Sequence, residues 1–151
     1  MVKFAIGQED SLDSRSCWIV LAEDNPADVG LVRHVLREHA VDCELDVISD
    51  GEEVLSFINE LDLDSKRCPD LLLLDLHLPK RDGNEVLKHL RASQRCGRMP
   101  VVILTSSDAS WDRQNAEKKN EAIHHFRKPI SLDEFLRLGN IIKDVIHRAP
   151  S

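Results

Sequence analysis

The sequence predicts an α/β fold: a doubly wound parallel sheet of five strands with helices on both faces. Three observations carry this expectation. Apolar runs of strand length alternate with stretches at helical spacing along most of the chain. Runs such as "LLLL" at 71–74 and "VVIL" at 101–104 are apolar at every position, as strands covered on both faces are. The intervening stretches supply the helical crossovers that parallel neighbours require.

Each element has its own signal. Residues 1–15 are polar and read as a loose leader before a single domain over 16–148. "CWIVLA" at 17–22 is the first strand. Asn25 as cap and Pro26 at the first helical position open a helix that runs to about His39, with Leu31, Val32, Val35 and Leu36 at helical spacing. "CELDVI" follows with Cys43, Leu45 and Val47 alternating, then a helix through Val54, Leu55, Ile58 and Leu61. The leucine strand 71–74 leads to a helix over 84–92, and "PVVILT" at 100–105 to a weaker one over about 109–120, whose apolar face is little more than Trp111 and Ala116. "AIHHF" is the last strand. Ser131 and Glu134 fit a capping box for a final helix with Phe135, Leu138, Ile142 and Val145 on one stripe.

Composition narrows the function. A chain of 151 residues is one ordinary domain, large enough for a core without staples. With 27 acidic residues against 20 Lys and Arg, a net charge of −7 and no basic block, it shows no phosphate-backbone footprint, so direct nucleic-acid binding is not expected. Cys17, Cys43, Cys68 and Cys96 lie 26, 25 and 28 positions apart, which matches no zinc spacing and reads as four free thiols. No apolar run reaches the ~20 residues that span a bilayer, and the N-terminus lacks a signal-peptide pattern; a cytoplasmic protein is the expectation.

Ligands of an open parallel sheet bind outside the carboxyl ends of its strands. The residues leaving the strands are Glu23 and Asp24, Asp75, Thr105 and Lys128. Three carboxylates converging there repel one another unless a cation intervenes, and an oxygen-only set suits Mg²⁺. Asp75, carried to the crevice by four leucines and faced by Lys128, could accept a phosphoryl group as an acyl phosphate, its charge neutralised by Mg²⁺, Lys128 and the Thr105 hydroxyl. Taken singly, each has an ordinary alternative: Asp75 as a turn residue, the acids as companions of the helix cap, Thr105 as a strand end, Lys128 as a solvated lysine.

Together, "LAEDN", "LLLLDLHLPKRDG", "VVILTSS" and "FRKP", in this order at four strand ends, resemble the receiver domain of two-component response regulators over about residues 17–147. The gap of 30 from Asp75 to Thr105 is usual in that family. The resemblance implies a flavodoxin-like sheet of order 2-1-3-4-5 and an aspartyl phosphate on Asp75. It also implies metal contacts from Glu23, Asp24, Asp75 and the backbone carbonyl of His77, and a cis bond between Lys128 and Pro129. Thr105 and His125 stand at the family's switch positions, although His125 departs from the usual tyrosine or phenylalanine. His77 and Ser107 stand where phosphoryl lifetime is tuned. The insertion "NELDLDSKRC" and the turn "LPKRDGNEVL" look like the single-domain regulators that partner phytochrome-type histidine kinases.

The resulting expectation is a single-domain regulator with no output domain, not an enzyme with a separate substrate, phosphorylated by a sensor histidine kinase. It would form a phosphorylation-dependent homodimer through its fourth helix, fifth strand and fifth helix, where Leu136, Ile141 and Ile146 add apolar surface beside the core stripe. Neither nucleic acid nor membrane is expected as a partner. A haloacid-dehalogenase-type phosphatase would need aspartate where His77 stands. A nucleotide-binding module would need glycines in "AEDNPADVG". A receiver-like interaction module without phosphotransfer would have no need of the intact site. His34, His39, His89, His124, His147, Trp18 and Trp111 read as packing or surface residues.

Overall fold

The computed structural model describes residues 1–7, 17–63, 67–105 and 123–148. Among these, six strands form one sheet: β1 (Val2–Ile6), β2 (Cys17–Ala22), β3 (Cys43–Ile48), β4 (Leu71–Asp75), β5 (Val101–Thr105) and β6 (Ile123–Arg127), in the order β1-β3-β2-β4-β5-β6. The five strands from β2 onward are parallel and keep the expected 2-1-3-4-5 order. The helices are α1 (Pro26–Glu38), α2 (Gly51–Leu63), α3 (Gly83–Arg91), α4 (Leu132–Phe135) and α5 (Leu138–Arg148). The expected helix over 109–120, with Trp111, and the expected site residue Ser107 lie outside the described residues, as does the 8–15 part of the leader.

The leader expectation is corrected for residues 2–6, which pair antiparallel with the outer edge of β3. Val2, Phe4 and Ile6 alternate opposite Val47, Leu45 and Cys43. Ile6 is buried, and the Arg33 guanidinium lies 4.0 Å from the centre of the Phe4 ring. The physical reason is a sheet edge whose backbone groups need partners and a short strand with period-two apolar residues to supply them.

The leucine run divides its side chains between two cores. Leu71 and Leu73 join the cluster beneath α1, α4 and α5, while Leu72 and Leu74 join the one beneath α2 and α3. That is why all four positions are apolar: a strand alternates its side chains, and here both faces are covered.

Two further expectations change. The final helix is broken into α4 and α5, because the bonding shifts to i→i−3 where Arg137 donates to Glu134 O and Gly139 to Leu136 O. Leu136, Ile141 and Ile146, expected as exposed apolar excess, are half-buried and pack against the core. The four-thiol expectation fails as well: Cys68 and Cys96 form a disulfide with Cα atoms 5.7 Å apart, leaving Cys17 and Cys43 free. The segments entering β4 and β5 run side by side, since Leu72 is registered with Val101, so cysteines 28 positions apart meet at one end of the sheet. No helix among the described residues is long and apolar enough to cross a membrane.

Candidate phosphoacceptor site

The site is assembled at the carboxyl ends of β2, β4, β5 and β6. Glu23 follows β2 directly; its amide donates to Ile48 O at 3.0 Å, which continues the sheet one step past the strand and turns the side chain into the crevice. Asn25 then caps α1, its Oδ1 accepting from the Ala27 amide at 2.9 Å. Asp75 ends β4 and is 5% exposed. The His77 amide donates to Asp75 Oδ1 at 2.9 Å, which leaves Oδ2 turned toward Lys128. Close packing beneath this turn requires Gly83: a Cβ there would stand 2.9 Å from the Asp75 carbonyl oxygen and crowd the Leu76 backbone.

Thr105 is buried one residue beyond Leu104, the registered neighbour of Asp75. Its carbonyl accepts from the Lys128 amide at 2.7 Å, tying the end of β6 to the end of β5. The Lys128 ammonium lies among three carboxylates: Glu23 Oε1 at 2.6 Å, Asp28 Oδ2 at 2.9 Å and Asp75 Oδ2 at 3.5 Å. Burial alone would favour a neutral amine, but the bonds to Asp28 and Glu23 outweigh it and hold Lys128 charged well above the usual lysine range. Burial, aided by Asp75, pushes the Glu23 carboxyl up to about 7 against the pull of Lys128.

Glu23, Asp24 and Asp75 each place a carboxylate oxygen within 4.8 Å of the others. Glu23 and Asp75 are buried and Asp24 is exposed, so the cluster opens to solvent on one side. Such an oxygen-only set suits a hard divalent cation. The structure thus brings together Glu23, Asp24, Asp75, Thr105 and Lys128. His77 is exposed next to Asp75, and half-buried His125 lies on β6 opposite Ile103 of β5.

Sequence reasoning missed Asp28. Its signal was its position in the first turn of α1, the helix that opens directly after the acidic pair Glu23 and Asp24. The cis bond implied by the resemblance is corrected: no cis peptide occurs among the described residues. Trp18 packs edge-on against Phe57, and its indole donates to buried Asp46 at 2.9 Å.

Comparison with known proteins agrees with this architecture. Residues 19–138 match the response regulator receiver domain family. Response regulator Rcp1 of Synechocystis sp. is 41% identical over 90 residues, a match that spans 59% of this chain and 61% of that relative's length. The phosphorylated cyanobacterial phytochrome response regulator RcpA superposes with a TM-score of 0.76 at 29% identity, covering 89% of this chain and 96% of the other. The Mn²⁺-bound form of Rcp1 superposes with a TM-score of 0.75 at 30% identity, covering 89% and 97%. With six strands among the described residues, four of them ending at the crevice that holds the acids, Thr105 and Lys128, and a family match over most of its length, the chain belongs to the response regulator receiver domain family.

Proposed function

We propose that this protein is a phosphoryl-accepting regulator of a two-component phosphorelay, with Asp75 as acceptor. The observation that carries the reading is the Asp75 carboxylate, oriented by the His77 amide and faced by Lys128 at 3.5 Å inside an acidic crevice. An Asp75 oxygen attacks the phosphorus of a phosphohistidine; the P–N bond breaks and the imidazole leaves with its electron pair. Mg²⁺, held by Glu23, Asp24, Asp75 and the His77 carbonyl, would offset the charge of the phosphoryl oxygens. Lys128 contributes the second positive charge, and the Thr105 hydroxyl engages a phosphoryl oxygen. His77, two residues beyond Asp75, and Ser107, two residues beyond Thr105 in sequence, stand at the positions where the family tunes phosphoryl lifetime.

The donor we infer is a sensor histidine kinase of phytochrome type. The support is the likeness to Rcp1 and to the phytochrome response regulator RcpA. The output surface we infer is the face of β6 and α5, where His125, Phe126, Arg127, Arg137, Asn140 and Ile141 line a crevice. Movement of Thr105 toward the phosphoryl group, with His125 following, would bias this face toward a homodimer. Sedimentation with and without beryllofluoride, on the parent and on Ile141→Asp, tests that part: a monomer throughout removes the face from the output role.

The acceptor assignment is tested by intact mass after incubation with Mg²⁺ and a small phosphodonor such as phosphoramidate. The parent gains one phosphoryl group and Asp75→Asn none. Undiminished labelling of Asp75→Asn would refute the assignment.

A further inference from the structure

Lys128 Nζ stands closer to Asp28 Oδ2 than to Asp75 Oδ2, 2.9 Å against 3.5 Å. Its three protons therefore serve Glu23 and Asp28 at full hydrogen-bond distance and reach Asp75 at the limit of one. The lysine has little room to wander, since its side chain is 9% exposed and its backbone amide is bonded to Thr105 O. Asp28 is also not one of the three acids whose oxygens gather within 4.8 Å, so its partner is the ammonium and not the cation cluster.

We propose that Asp28 is a positioning residue that holds Lys128 off the phosphoacceptor, so that the lysine must exchange Asp28 for a phosphoryl oxygen when Asp75 is modified. The inference rests on the reading of Asp75 as acceptor. Asp28 sits at the start of α1, on a turn fixed by Asn25 and Pro26, and its side chain is 20% exposed. Charge-assisted hydrogen bonds are the strong ones in such a site, and a carboxylate that keeps one in the resting state opposes its transfer to a phosphoryl group. A ligand shifts an equilibrium only by its differential interaction with the two states, and Asp28 adds its interaction to the resting state alone. The resting position of Lys128 then acts as a threshold: Asp28 lowers phosphoryl retention in return for a quieter unphosphorylated protein.

The test is the affinity of beryllofluoride for the folded protein at saturating Mg²⁺, measured by calorimetry, in a double-mutant cycle with Lys128→Ala. Asp28→Ala is expected to bind the analogue about tenfold more tightly than the parent. Asp28→Asn, which keeps an acceptor without the charge, is expected to shift in the same direction by less and serves if the alanine variant folds poorly. In the Lys128→Ala background the Asp28 substitution is expected to change the affinity less than twofold. The cycle separates this role from the plain loss of a negative charge near an anion, which would tighten binding with or without the lysine. Equal or weaker binding in both Asp28 variants, or the same tightening without Lys128, overturns the inference alone. A parent that takes up no beryllofluoride overturns the acceptor reading and the inference with it.

Discussion

His39 Nε2 lies 2.6 Å from the carbonyl oxygen of Leu136, joining the C-cap of α1 to the turn between α4 and α5. The ring rests on Gly139, where a Cβ would overlap it. The histidine thus occupies the place where the final helix changes its hydrogen-bond step, and it supplies a partner to a carbonyl there.

Gly139→Ala should therefore be destabilising by about 1–3 kcal/mol, the usual cost of overpacking. For a domain of this size that lowers Tm by roughly 2–12 °C. His39→Ala should remove most of the penalty of the second substitution. Thermal melts of the two single variants and the double variant check this; additive losses would show that the ring is not what the alanine meets.

Lys128→Ala should cost about 3–5 kcal/mol of stability in chelator, because it leaves Glu23 and Asp75 buried and facing each other without their cation. Adding Mg²⁺ should recover part of that loss, and more than it adds to the parent. Urea unfolding of both proteins with and without Mg²⁺ measures it. The variant should still accept a phosphoryl group on Asp75 but lose the accompanying conformational change, read by comparing labelling with tryptophan fluorescence.

The two free thiols make alkaline pH destabilising. Burial pushes both Cys17 and Cys43 up to about 12 from an ordinary value of 9.0. Above pH 9 the unfolded chain gives up these protons while the folded one keeps them. Their contribution is thus whole below pH 9 and is lost as pH rises toward 12. Urea midpoints should fall between pH 9 and 11, and Cys17→Ser with Cys43→Ala should flatten that slope. Alkylation at pH 8 should be slow in the folded protein and fast in urea, since the thiolate is the reactive form.

Reduction of the Cys68–Cys96 bridge should lower stability by about 3–4 kcal/mol, the chain-entropy value for a loop closed over 28 positions. Equilibrium unfolding with and without reductant reads the difference, and Cys68→Ser should match the reduced parent in both. A smaller loss would mean that the Asp62 bonds to the Ser93 hydroxyl and the Arg95 amide already hold these two loops together.

The alternation of apolar strands with amphipathic helices determined the parallel sheet and the residues that leave each strand, because period, burial and crossover handedness are local or topological properties, while the strand order from β2 onward came with the resemblance to receiver domains. Glu23, Asp24, Asp75, Thr105 and Lys128 were legible for the same reason: each directly follows or ends a run whose direction the pattern sets. Tertiary structure alone decided what depends on distance between remote segments. β1 acquires meaning only beside the bare edge of β3, since five residues make no strand without a partner. Cys68 and Cys96 meet because two strands enter the sheet in register. Asp28 was one acid among 27 until the fold put its oxygen 2.9 Å from an ammonium 100 residues away. The break before α5 lies where the C-cap histidine of α1 meets the Leu136 carbonyl, a contact that no periodicity within residues 131–148 encodes. Coulomb and steric terms act through space, and the sequence reports only neighbours along the chain and those a regular helix or strand brings together.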